Sequence, residues 1–324
     1  MATLFSKVKD YKDLSRKLQL HLAEYPNDWQ RFQDTFNSKI DRVIVDILQS
    51  EKIDKRVDKL RKIFKKRYRQ HFLYGDYVKW SFMKPFGYSG DFKIIEDIYL
   101  NQPRTVGFDR LWDNRFLKLD ASKATRERKE DFKQIIFDYV KSHRGLNIRI
   151  MNLASGPARE IKELLEIDSN NYFSNVIFDC YDFESKAIEY AKQLLNNYNN
   201  INFLQRNVVR LALKKDITQE IPCKYDLIYS MGLFDYLEKK LATKLIKNLK
   251  NLLKKNGMLI VSNYTVKDNN ISACLMEWVA EWNLIYRTEE EFRELFIAAG
   301  FRPNELKLEP QKSKVMQYCF AKLS

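Results

Sequence analysis

From residue 147 onward, short apolar runs alternate with amphipathic stretches of about ten to fifteen residues, and nothing else in the chain constrains its fold as strongly. A strand can return parallel to its predecessor only through a crossover of about a dozen residues or more, so this rhythm is that of a parallel sheet built from βα units. It predicts strands at 148–153, 176–181, 201–204, 225–230 and 257–262, with helices at 158–167, 184–197, 239–254 and 288–299. The last runs, 304–309 and 314–321, have too short a connection for a crossover and read as an antiparallel pair.

Upstream the period changes. Between about residues 5 and 75, apolar side chains recur every three or four positions, as in Phe32, Phe36, Ile40, Val43, Ile44 and Ile47, with almost no Gly or Pro. Two aromatic loops containing Pro and Gly, WSFMKPFGYSGDF and NQPRTVGFD, flank a helix near 91–100, and an amphipathic helix follows at 122–142. At 324 residues, 45% of them hydrophobic, the chain can bury two cores. We expect a helical N-terminal domain and active-site cap over 1–145 and a sheet domain over 146–324.

The formal charge of +14 invites a nucleic-acid reading, yet the basic residues are interspersed with 43 acidic ones. The densest run, Lys55 to Arg69, has the spacing of a solvated helix face, which argues against a nucleic-acid partner. Cys180, Cys223, Cys274 and Cys319 lie far apart, and His21, His71 and His143 fall in no ligand spacing, so no metal site is expected. The start MATLFSKVKDYKDLSRK has no apolar signal core, and no run approaches the roughly 20 apolar residues of a membrane span. A cytoplasmic protein is the expectation, as a monomer or homodimer.

The candidate chemistry gathers beyond the strand ends. In IRIMNLASGPAREIKELLE the first strand turns through Ala154, Ser155 and Gly156 into a helix, where small residues admit a close ligand and free N–H groups face an anion. The second strand ends at Asp182 and Phe183; a carboxylate there can accept both hydroxyls of a ribose, or it can cap the next helix. After the third strand, Asn207 and Val208 sit where an adenine amino group would be met, although Asn207 also suits a turn. Beyond the fourth strand come Ser230, Met231, Gly232 and Asp235, and the fifth ends at Asn263 and Tyr264. A nicotinamide-dependent oxidoreductase would share the sheet, but its G-x-G-x-x-G loop is absent.

The order of elements, Asp182, the segment YDLIYSMGLFDYL and the AAGF-plus-hairpin ending resemble class I S-adenosylmethionine-dependent methyltransferases over residues 145–324. The family's usual first motif is an acidic residue followed by three alternating glycines; Asn152, Ala154, Gly156 and Ala158 stand at those positions. The resemblance implies an α/β, Rossmann-like seven-stranded methyltransferase sheet with a terminal antiparallel hairpin. The cofactor would be S-adenosyl-L-methionine, the product S-adenosyl-L-homocysteine, and the methionine carboxylate would lie at the first turn.

The segments GYSGDFKIIEDIY, ATRERKEDF, LASGPARE, MGLFDYL and MEWVAEWNLIYR are similar to those of bacterial methyltransferases assigned to making 3-hydroxypalmitate methyl ester. That narrower resemblance, over about residues 80–324, implies carboxyl O-methylation of a small or lipidic acid. Tyr88, Asp91, Arg126 and Arg128 would then belong to the cap, an arginine being able to grip a carboxylate at two points. Interdomain salt bridges and an aromatic plug are their structural alternatives. Trp278, Tyr286 and Arg287 follow the fifth strand where an acceptor pocket is common, with core packing the other role for the tryptophan. Asp235 or Tyr264 would serve as a base or base-orienting group for an alcohol, phenol or amine acceptor. A nucleic-acid methyltransferase, or an enzyme using S-adenosylmethionine for another transfer, are the remaining alternatives.

Overall fold

The computed structural model describes residues 2–53 and 56–324; Lys55, at the head of the basic run, lies outside the described residues. It divides into two compact units, Met1–Lys123 with Asn270–Asn283, and Ala124–Asn269 with Leu284–Ser324. The division falls within the helix anticipated at 122–142 and not at 145/146. Beyond residue 124 that helix buries Phe132, Ile136 and Val140 in the core of the sheet unit.

The first unit is helical: α1 (Ala2–Glu24), α2 (Trp29–Ile53), α3 (Val57–Arg67), α4 (Asp76–Met83), α5 (Phe92–Leu100), α6 (Gly107–Leu117) and the first turn of α7 (Asp120–Ser142). Its core is aromatic. Tyr11 packs 4.6 Å from Phe72 and 6.1 Å from Trp112, ring centre to ring centre. The Tyr11 hydroxyl donates to the His71 carbonyl at 2.8 Å and the Trp112 indole N–H reaches the Tyr11 oxygen at 3.2 Å, so the polar tips of both rings are satisfied. A helix from much later in the chain, Ala273–Ala280, completes this core through Trp278, whose ring lies 5.5 Å from Phe64.

The second unit runs β1 (Ile148–Leu153), α8 (Arg159–Glu166), β2 (Val176–Asp182), α9 (Ser185–Leu194), β3 (Ile201–Gln205), α10 (Val208–Leu213), β4 (Tyr225–Ser230), α11 (Lys239–Lys250) and β5 (Leu253–Tyr264). With Ala273–Ala280 counted as α12, the chain ends in α13 (Glu289–Ala298), β6 (Leu306–Pro310) and β7 (Met316–Lys322). One seven-stranded sheet results, in the order β3-β2-β1-β4-β5-β7-β6, with β7 alone antiparallel to both its neighbours. This is the Rossmann-like sheet with a terminal antiparallel hairpin that the family resemblance implied.

Helices cover both faces, which is why the central strands read as continuous apolar runs and not as alternating ones. Ile161 and Leu164 pack with α7 on one side; Leu211, Leu245, Leu249, Phe292 and Leu295 fill the other. The chain leaves β1 toward β2 and β3 but reaches β4 and β5 on the opposite side. The sheet therefore has its switch point between β1 and β4, where α/β folds open a crevice at the carboxyl ends of the strands.

Register brings those ends level. Leu153 pairs with Tyr181, Asn152 with Tyr229, and Ser230 with Val261. The fifth strand begins at Leu253, earlier than its apolar run suggests, because it crosses a register shift opposite Tyr225 and Leu227. Gly257 makes that shift possible: a Cβ there would sit 2.9 Å from the backbone oxygens of Lys254 and Tyr225. Among the described residues, no helix is long and apolar enough to cross a membrane, and no cluster of three or more His, Cys, Asp or Glu is arranged to hold a metal.

Because both obstructing oxygens are backbone, Gly257→Ala cannot be relieved by a rotamer change and should lower stability by about 2 kcal/mol. A urea midpoint unchanged from wild type would show that the shift tolerates a side chain.

Candidate functional site

The turn from β1 into α8 has an unusual backbone. Ala154, Gly156 and Ala158 all adopt left-handed angles, with φ of 55°, 52° and 52°. An L residue carrying a Cβ is strained there by about 1 kcal/mol, so two alanines hold a conformation that glycine takes without cost. The alternation compresses the loop and returns the chain at once into α8. Ser155 N–H reaches the Tyr181 carbonyl at 3.0 Å, and Gly156 N–H donates to Asp182 Oδ2 at 2.9 Å, tying the loop to the end of β2.

Asp182 is 5% exposed, and its other oxygen accepts the Glu184 N–H at 3.0 Å. Burial raises its pKa above the usual carboxylate range, opposed by these backbone donors. The carboxylate thus ties the end of β2 to the loop on one side and to Glu184, the N-cap of α9, on the other. Each oxygen has a second lone pair, so the group can still accept hydroxyls from a ligand. Phe183 beside it is exposed, and Asn207 caps α10, its side-chain oxygen accepting the Arg210 N–H at 3.2 Å. Val208, the first residue of that helix, is buried.

Across the switch point, Ser230 Oγ donates to the Leu153 carbonyl at 2.8 Å, locking β4 to β1 just below the loop. Met231 is buried; its carbonyl accepts a hydrogen bond from Ser262 on β5. Gly232 leaves room for a guanidinium, since a Cβ there would stand 3.3 Å from Arg128 Nη2. Arg128 Nη1 lies 3.7 Å from Asp235 Oδ2, with 4% and 2% of the two side chains exposed. Desolvation lifts the Asp235 pKa to about 6 against the pull of Arg128, the Tyr264 N–H at 2.9 Å and Arg287.

Tyr264 is buried too, and desolvation pushes its phenol up to about 12, with a hydrogen bond to the Thr125 side chain. At neutral pH it is a hydrogen-bond donor and not a base. Arg287 is spent on structure: it donates to the carbonyls of Phe234, at 2.8 Å, and Leu237, and to the Asn263 side chain, fixing the segment that carries Asp235 against the end of β5. Tyr286, half-buried, sets its ring 6.2 Å from Tyr264 in an edge contact.

Tyr88, Asp91 and Trp278 belong to the first unit. Asp91 is the N-cap of α5, accepting the Lys93 and Ile94 N–H groups at 3.0 Å and the Trp80 indole N–H at 2.8 Å. Trp278 is fully buried, donates to Glu51 at 2.8 Å and stacks beneath Arg61. Arg126 stands two positions from Arg128 on α7, a spacing that points the two side chains in different directions, and burial lowers its pKa.

Two participants were not anticipated. Thr125 meets Tyr264, and Glu160, fully buried on α8, accepts from Asn152 Nδ2 at 2.7 Å and from the Tyr229 hydroxyl at 2.9 Å. Glu160 was legible in principle, since it lies four residues before Leu164 on the face of α8 that packs inward.

Because Asp235 ionises later when folded, it holds its proton more tightly in the native state than in the unfolded chain. Its stabilising contribution is therefore complete below its ordinary pKa of 3.8 and disappears as the pH rises through about 6. In urea unfolding, the stability of wild type relative to Asp235→Asn should fall across that interval. A difference that stays flat with pH would show that the carboxyl ionises normally.

No curated protein matches the chain significantly. Among solved structures, a possible exported protein from Bordetella parapertussis is similar at 19% identity and a TM-score of 0.55, covering 72% of this chain and 79% of that one. Magnesium protoporphyrin IX methyltransferase from Synechocystis PCC 6803, solved with bound SAH, is 13% identical over 63% of this chain and 87% of that one, at a TM-score of 0.46. Human N-acetylserotonin methyltransferase in complex with SAM is 15% identical, at a TM-score of 0.42. There the match covers 64% of this chain and 59% of the human protein, less than two thirds of its length. A model described as a methyltransferase domain matches residues 144–318, more than half of the chain, and the chain belongs to that family.

Proposed function

We propose that this protein transfers a methyl group from S-adenosylmethionine to a small-molecule or lipidic acid, at a carboxyl oxygen. The observation that carries the cofactor half is the loop with left-handed residues at 154, 156 and 158, bound to Asp182 through the Gly156 N–H. A compact turn of small residues at the start of α8 suits the carboxylate of an amino acid, and a buried carboxylate one strand away suits a ribose. The two lie side by side at the carboxyl edge of the sheet, as one ligand carrying both groups requires. The cofactor, when bound, supplies a methyl group on a cationic sulfur.

Support for an acid acceptor comes from Arg128, buried beside Gly232 and Asp235. A guanidinium there would hold a carboxylate by charge-assisted hydrogen bonds, while Tyr264 offers a phenolic donor. An acceptor carboxylate held by Arg128 would take the methyl group from the sulfonium, which would keep the bonding pair, giving a neutral ester and a thioether. No proton moves, so no general base is needed. Asp235, anchored by the Tyr264 N–H, orients Arg128 and balances its charge. Positioning and exclusion of water would supply much of the acceleration.

Calorimetric titration with S-adenosylmethionine and S-adenosylhomocysteine should give micromolar binding, about 8 kcal/mol, with no heat from NAD. Binding of NAD alone would overturn the assignment. Asp182→Ala should weaken S-adenosylhomocysteine binding by about tenfold or more, by removing two acceptors.

Arg128→Met should raise KM for an acid acceptor by a similar factor of about ten while cofactor affinity is kept. Equal turnover of acids and their amides by the wild-type enzyme would remove the carboxylate from the reading.

A further inference from the structure

The end of β1 presents a chemical difficulty. In the motif that this family usually carries there, an acidic residue precedes the small-residue loop, and this chain has an amide, Asn152. S-adenosylmethionine has an ammonium group as well as a carboxylate at its amino-acid end. The start of α8 suits the anion and leaves the cation without a counter-charge.

The missing charge lies one hydrogen bond away. Asn152 Nδ2 donates to Glu160 Oε1 at 2.7 Å, and the Tyr229 hydroxyl donates to the same oxygen at 2.9 Å. Glu160 Oε2 is buried with no hydrogen-bond partner, and so is Ser155 Oγ in the loop itself. Asn152 and Tyr229 are register partners on β1 and β4, so the carboxyl group bridges the two strands that flank the switch point, and it sits on the first turn of the helix that the loop enters. A carboxylate without a cation is costly to bury, and one oxygen with two donors beside another with none is not how a purely structural acid is usually satisfied. Burial, reinforced by the nearby Glu163 carboxylate, holds the Glu160 pKa up to about 7, the direction a nearby cation would reverse.

We propose that Glu160 is a positioning residue for the amino-acid end of the cofactor: acting through Asn152, it supplies from α8 a negative charge behind the strand-end amide. The inference rests on S-adenosylmethionine being the cofactor. It divides the acidic residue of the motif in two, an amide at the strand end that faces the ligand and a carboxylate behind it that polarises the amide.

Two ligands separate this role from a structural one. S-adenosylhomocysteine carries the amino-acid end, whereas 5′-methylthioadenosine shares the adenosine and lacks it. Titrated against the full chain, Glu160→Gln should weaken S-adenosylhomocysteine binding by about ten- to hundredfold, the size of one charge-assisted contact, and change 5′-methylthioadenosine binding by less than about twofold. The double variant Asn152→Asp with Glu160→Gln returns the charge to the strand end and keeps the hydrogen bond with its polarity reversed, so it should recover most of the lost affinity. Equal losses for both ligands, or no loss for either, would overturn the proposal. If Glu160→Gln does not fold, the double variant alone decides: wild-type preference for S-adenosylhomocysteine supports the role, and loss of that preference refutes it. A wild-type protein that binds neither ligand fails the cofactor assignment itself, and this inference with it.

Discussion

The hydrogen bond from the Gly156 N–H to Asp182 closes a loop that two alanines hold in a strained conformation. Strain of this kind persists only where the surroundings over-determine it. Here the constraints are the Ser155 N–H on the Tyr181 carbonyl, the Ser230 hydroxyl on the Leu153 carbonyl, and the pairing of β1 with parallel strands on both sides. Shifting β1 by one residue would break each of these and exchange the faces to which Asn152 and Leu153 point. The geometry of the crevice is therefore a property of strand register before it is a property of any side chain.

On the other side of the switch point the organising principle is buried charge. Arg128, Asp235 and Arg287 share a small volume from which water is excluded, and burying such charges is favourable only when nearly every donor has an acceptor. Arg287 meets that condition by gripping backbone carbonyls, so the segment around Asp235 is fixed from behind and cannot relax when the charge in front changes. A rigid carboxylate facing a guanidinium over a glycine is a preorganised arrangement, which suits positioning of an acceptor better than proton transfer.

Much of this was legible in the chain. The spans of β1 and β4 follow from their apolar runs, which are too short for buried helices and are bounded by turn residues. Asp182 and Ser230 close their strands and Gly156 follows β1, positions the apolar runs mark because each run stops there. Short-range features were harder. The six-residue helix α10 is too brief to show a period, and the start of β5 is disguised by Lys254, Lys255 and Asn256, polar residues at a register shift. Long-range partners were invisible. That Glu160 would meet Tyr229, 69 positions away, or that Asp91 would be consumed by Trp80 and its own helix, depends on packing that no local pattern encodes.

The return of residues 270–283 to the helical unit bears on how the protein is made. The aromatic cluster around Phe64 gains Trp278 only after most of the sheet unit has been synthesised. An N-terminal segment usually folds first as it leaves the ribosome. Here it must wait, with apolar surface exposed, while roughly the next hundred and fifty residues are added at the usual pace of about ten per second. The two units are thus coupled in time, and a chain halted before α12 would carry an unfinished core at its beginning and not at its end.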